Sequence, residues 1–286
     1  MSTHSINVTI NLNALRGELQ RALQRIIYLV AAGLQTKQYI NGKELELPTN
    51  SINMIFDSSL LWDDQKAQNE YMQWVLSNGF RDAIESLNSF LESTHRVLSF
   101  WKLAGIQKDG AEITGAHWND IVVGGAQKFH SLGFPDKLEH IRNKHSIPYD
   151  ESLSSHVLSI NKARNCFVHR CGIVSGKDLN NGNSLQIKYR RMVFLVRNVD
   201  GEKELVIGEV VQKDSVIAVR NQDETKSFAL GSKIELTVKE FTDITWCLFL
   251  FGDNLVQKVS AYGLQHGFVA ESKSDKAQHP AARDAR

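Results

Sequence analysis

From Trp62 to Leu103 apolar residues recur at helical spacing for roughly forty residues, and a helix that long dictates much of what the rest of the chain can do. Phe80, Ile84, Leu87, Leu91, Thr94, Leu98 and Trp101 keep to one side of it. A stripe of that length is buried only if other helices lie along it, so the expected architecture is a helical bundle built on this element. Gly79 interrupts the pattern.

The flanking segments supply partners. Asn11 or Asn13 can cap a helix running to about Gly33, with Leu15, Leu19, Leu23, Ile26, Ile27 and Val30 as its buried stripe. Residues 1–10 alternate Ile6, Val8 and Ile10 and read as a short strand or an arm, and Asn41-Gly42 is a candidate hairpin turn. His117 to Leu132 reads as a helix weakened by Gly124-Gly125, and Phe134-Pro135-Asp136 opens another to about His145. Pro148-Tyr149-Asp150 stops that helix and caps the next.

After Gly172 the period changes from helix to strand. Ser184 to Arg197 alternates, Asp200-Gly201 makes a turn, and Leu205 to Val211 reads as the return strand. Val216, Ala218 and Phe228, then Ile234, Leu236 and Val238, suggest two or three more strands, and Phe241 to Tyr262 returns to helix. The expected fold is mainly α, with a β-meander inserted between the helix before Gly172 and the last helix. Four segments follow: a helical bundle over 1–175, a β-rich insertion over 184–240, a final bundle helix over 241–268, and a charged tail over 270–286 expected to be disordered.

Composition narrows the function classes. Among 286 residues 42% are hydrophobic and 23% charged, as in an ordinary globular protein. A formal net charge of +1 supplies no global basic field, so any attraction for nucleic acid must be local. Three cysteines form no even framework and point to a reducing, cytoplasmic setting. The longest apolar run near the N-terminus, Ile26 to Leu34, is too short to span a bilayer and lacks a signal-peptide layout, so no membrane partner is expected.

One constellation has residue types and spacing suited to chemistry: Arg164, Asn165 and His169. Arginine offers a planar donor fork that matches phosphate, and histidine moves protons near neutral pH. Asn165 and His169 are four apart, so on a helix the amide can orient the imidazole. Arg164 points roughly 140° away from His169 on the same helix. Both therefore meet at one phosphate only if the helix breaks near Cys171-Gly172 or a second copy of the chain completes the site. Leu153, Val157, Ile160, Phe167 and Cys171 fall within about 40° of one line, with Arg164 among them. An arginine in an apolar seam needs a partner. Either Asp82 or Glu85 of the long helix ties it internally, or it faces a cleft and meets phosphate. Lys162 and Arg170 are the candidate cations for binding the substrate.

The run Arg164-Asn165-Cys166-Phe167-Val168-His169, followed by Arg170-Cys171-Gly172-Ile173-Val174, resembles the Arg-(four to six residues)-His signature of the HEPN superfamily. There a polar residue, often Asn, follows the arginine, and a glycine and an apolar pair follow the histidine. The resemblance covers about residues 60–175 and the last helix. It implies a helical bundle that forms a homodimer with both signatures at the cleft, acting as a metal-independent endoribonuclease without cofactor. It also implies a toxin or antiviral defence setting, with an antitoxin or defence-system protein as partner. Some members have lost catalysis, so a silent dimeric module that binds RNA or a protein is the alternative. In the active reading the RNA 2′-hydroxyl is the nucleophile and His169 the general acid or base. Arg164 steadies the phosphoryl charge, and Asn165 holds the imidazole or touches the phosphate.

Other features point elsewhere or nowhere. His140, His145, His156 and His169 show no metal-ligand spacing with a carboxylate, so no metal is expected. Arg142-Asn143-Lys144-His145 imitates the motif but is shorter and reads as a helix end. Cys166, Cys171 and Cys247 read as small core residues, and Gly124-Gly125 lies in no nucleotide fingerprint. Tyr189-Arg190-Arg191 reads as a solvated strand edge. Trp62, Trp74, Trp101, Trp118 and Trp246 read as core anchors.

Overall fold

A computed structural model describes residues 10–40, 45–47, 54–56, 63–198, 201–205, 208, 210–211 and 213–269. The described chain is mainly helical, with a small three-stranded antiparallel sheet. It divides into two compact units. Among the described residues, those within 10–16, 90–149 and 253–269 form one, and those within 17–89 and 150–252 form the other.

Helix α1 (Leu12–Gln35) starts where the Asn11 side chain accepts from the Ala14 N–H at 3.1 Å. Leu15, Leu19, Leu23, Ile26 and Val30 are buried at the expected spacing, whereas Ile27 faces outward at 37% exposure. The strands β1 (Leu45–Leu47) and β2 (Met54–Phe56) pair antiparallel. The alternation before Ile10, the turn at Asn41-Gly42 and the tail lie outside the described residues.

Helix α2 (Asp64–Lys108) runs for 45 residues without a break. All seven positions of the sequence stripe, from Phe80 to Trp101, are buried. Gly79 does not interrupt the helix, because its role is close approach. A Cβ there would sit 2.3 Å from Val30 Cγ2 and 3.2 Å from the Phe241 ring. The absent side chain lets neighbouring elements reach the backbone of α2.

Helix α3 (Gly115–Trp118), capped by the Thr114 side chain, passes through a π-helical segment (Asn119–Gly124) into α4 (Gly125–His130). The weakening expected at Gly124-Gly125 thus takes the form of a π turn. Helix α5 (Phe134–Lys144) begins with proline in its first turn and buries Phe134, Leu138 and Ile141. Helix α6 (Glu151–Arg170) carries the motif. Tryptophans divide: Trp101 is buried, while Trp74 at 63% and Trp118 at 37% are exposed and are not core anchors.

In the sheet, β3 (Ser184–Asn198) is central, flanked by β4 (Gly201–Glu204) and β5 (Val216–Ala229) in the order β4-β3-β5. A meander would place the second strand in the middle. Here β3 and β5 match in length, paired from Ser184↔Ala229 to Arg197↔Val216, and the short β4 covers only one end of β3. The return strand also comes earlier than the apolar pattern at Leu205–Val211 suggests. Every residue of β4 is exposed, so burial gives it no signal, and charge pairs such as Arg191–Glu204 and Arg197–Glu202 fasten it instead. Ile234 and Leu236 are buried but form no strand, because the Gln73 side chain bonds both the N–H and the carbonyl of Leu236. Val238 then opens α7 (Val238–Gln265).

Arg190 and Arg191 sit on the central strand, not an edge. Arg190 pairs with Asp223 on β5, and Arg191 bridges Glu224 of β5 and Glu204 of β4. They are cross-strand ties. Among the described residues no helix is long and apolar enough to cross a membrane.

Candidate functional site

Helix α6 begins where Asp150 Oδ1 accepts from the Leu153 N–H at 2.9 Å. Its buried line is Leu153, Val157, Ile160, Ala163 and Cys166. Phe167 lies half-buried beside this line and meets Phe80 edge-on with centroids 5.3 Å apart. Cys171 is exposed rather than in the seam. It ends the helix in the left-handed region at φ 51°, and the following Gly172 has φ 81°. The Gly172 N–H closes the end by donating to the Cys166 carbonyl at 3.2 Å.

The helix is therefore regular through both motif residues and turns only after them. On a single chain Arg164 and His169 keep their roughly 140° divergence. Arg164 bonds Glu85 of α2 through Nη2, and its Nη1 donates to Asn165 Oδ1 at 3.1 Å. Its Nε is buried without a hydrogen-bond partner among the described residues. Asn165 accordingly orients the arginine and not the imidazole, because a charged donor is the stronger claimant for its oxygen. His169 is exposed and, among the described residues, makes no hydrogen bond or ion pair. The geometry joins Arg164 to Asn165 and leaves His169 apart.

The two candidate binding cations have structural partners. Lys162 donates to the Leu179 carbonyl at 2.9 Å. Arg170 holds Asp178 through Nε at 2.7 Å and through Nη2. Asp178 is 1% exposed and also accepts from the N–H and hydroxyl of Ser175, both at 2.8 Å. Burial alone would raise its pKa, but these donors outweigh it and hold the carboxyl below its ordinary value. The turn after Gly172 is thereby stitched back onto α6.

The two buried thiols, Cys166 and Cys247, are unsuited to nucleophilic work. Burial, reinforced by Asp178, pushes Cys166 up to about 11, and burial pushes Cys247 up to about 12. His156 is buried in α6 with Nε2 3.8 Å from Asp223 and with Nδ1 unpartnered among the described residues. Sequence reasoning missed a different grouping: His95 of α2 lies against His140 of α5 and against His145, the residue after α5. The available signal was the pair His140 and His145 itself. A third histidine from 45 residues upstream has no local signature.

No protein-family model, no curated protein and no solved structure matches the chain.

Proposed function

We propose that the chain is a HEPN-type endoribonuclease acting as a two-fold dimer in the cytoplasm, in a toxin or defence setting. The observation that carries this reading is His169: an exposed imidazole without a partner among the described residues, one helical turn beyond an Arg–Asn pair. In the reaction the RNA 2′-oxygen bonds to phosphorus as the bond from phosphorus to the 5′-oxygen breaks. His169 takes the 2′-hydroxyl proton or protonates the 5′-oxygen, and water completes the other transfer. Arg164 exchanges Glu85 for the phosphoryl oxygens and neutralises the charge that builds there. Because the two residues diverge on one helix, Arg164 of one chain and His169 of its partner serve one phosphate. The products are a 2′,3′-cyclic phosphate and a 5′-hydroxyl.

A second reading rests on the Glu85 ion pair. With Arg164, Arg170 and Lys162 all engaged, the same fold could serve as a silent module that binds RNA or a protein partner. End-labelled RNA incubated with the full chain in excess EDTA separates the two. Cleavage in wild type that disappears in His169→Ala, with unchanged melting, supports the nuclease. Salt-sensitive binding without cleavage supports the silent module.

A further inference from the structure

We propose that His95, His140 and His145 form a binding site for one divalent metal ion of the zinc class. The first support is ring geometry. The centroids lie 5.2 Å (His95–His140), 5.0 Å (His95–His145) and 5.5 Å (His140–His145) apart, with interplanar angles of 81°, 62° and 56°. Three imidazoles bound tetrahedrally at ~2.05 Å would place their centroids about 5.2 Å apart. The rings thus already fan around a common point instead of stacking on one another.

Ligand atoms agree with this. One nitrogen from each ring lies within 4.8 Å of the other two, and His95 Nδ1 is 2.9 Å from His145 Nε2. Tetrahedral zinc needs these separations to become about 3.3 Å. The 95–145 pair opens by a few tenths of an ångström, and the half-buried His140 ring swings inward. Among the described residues His140 makes ring contacts but no hydrogen bond, so the swing breaks no hydrogen bond.

His95 has the outer support that metal-binding histidines use. Its ring stacks on Phe129 at 4.2 Å and 5°. Its Nε2 faces Ser99 Oγ at 3.4 Å. That leaves Nδ1 aimed at the cluster. Burial pushes His95 down to about 4 and His145 to about 3, and burial followed by Lys144 and Lys102 lowers His140. Burial, the leading cause at each ring, favours the neutral form whose lone pair a metal can take.

Among the described residues the group is three imidazoles, and that donor set selects the ion. Zinc, cobalt, nickel and copper suit imidazole, whereas magnesium and calcium require oxygen. A three-histidine set leaves a coordination position open, the arrangement of sites that bind water or substrate. His145 also lines a cavity of about 420 Å³ with Lys102, Lys108, Lys144, Trp101 and Phe268. Lys102 and Lys144 act on the histidines and favour an anionic fourth ligand, with Asp109 in the same lining. The histidines and the motif residues Arg164 and His169 belong to different compact units, so this site and the proposed nuclease site stand or fall separately.

The test is calorimetric titration of the chelator-stripped full chain with Zn²⁺, alongside visible absorption with Co²⁺. We expect one Zn²⁺ per chain at about micromolar dissociation constant or tighter, the visible bands of tetrahedral Co²⁺, and no uptake of Mg²⁺. His140→Gln and His145→Gln should each weaken Zn²⁺ by at least about tenfold, and His169→Gln should leave it unchanged. Circular dichroism and melting accompany each variant. Should His145→Gln unfold, His140→Gln decides alone, since that ring makes no hydrogen bond among the described residues. Absence of saturable Zn²⁺ binding by the folded wild type overturns the proposal, as does binding that survives His140→Gln unchanged.

Discussion

Arg164 and Glu85, 79 positions apart, form an ion pair that holds the motif arginine against α2. The glutamate side chain is 46% exposed and the arginine 26%, so solvent screens the pair and its worth to stability is small, about 0–1 kcal/mol. The same exposure makes it replaceable by another anion. Glu85→Gln should therefore leave melting nearly unchanged while raising RNA affinity several-fold at low salt and steepening its salt dependence by about one ion. A binding titration at three salt concentrations reads both effects. Unchanged affinity and slope would mean that Arg164 does not meet RNA.

The proposed dimer rests on helix geometry. A helix that stays regular to Arg170 keeps Arg164 and His169 on different sides, so a shared phosphate needs two chains. Light scattering should report a dimer at micromolar concentration. Arg164→Ala and His169→Ala proteins should each be inactive alone. Remixed in equal amounts they should recover about a quarter of wild-type cleavage, since half the dimers are mixed and each has one complete cleft. A monomer with full activity refutes the composite site.

Gly79→Ala tests the close approach at α2. In an exposed helix this change gains about 1 kcal/mol. Here the new methyl meets Val30 Cγ2, whose β-branched side chain cannot swing clear, and overpacking costs about 1–3 kcal/mol. The variant should melt several degrees lower. A higher melting temperature would show that the neighbouring valine yields freely.

Asp178 predicts a pH dependence. Its folded pKa is lowered, so its contribution is fully present above the ordinary value of ~3.9 and is lost as pH falls through the lower folded value. Asp178→Asn leaves Arg170 without its carboxylate and should cost about 2–3 kcal/mol at pH 7. The gap between wild type and variant, from denaturant melts, should stay constant from pH 5 to 8 and narrow only below about pH 4. A gap that closes near pH 6 would assign the effect to another group.

Sequence alone determined the elements that repeat a short-range physical signal. The stripe of α2 was legible because burial recurs every three or four residues, and Asp150 was legible as a cap because capping is local. The motif was legible as a spacing, and so was the divergence of its two ends. Tertiary structure decided what depends on partners distant in the chain. It selected Glu85 over Asp82 for Arg164, and gave Asn165 to the arginine instead of the imidazole. It tied Arg170 to Asp178 and put β3 in the middle of its sheet, because pair length and charge, not hydrophobic alternation, settle which strands meet. It also brought His95 to His140 and His145. Helices repeat every 3.6 residues and announce themselves locally. Which side chain finally touches which is settled by packing, and packing reads distance in space rather than in sequence.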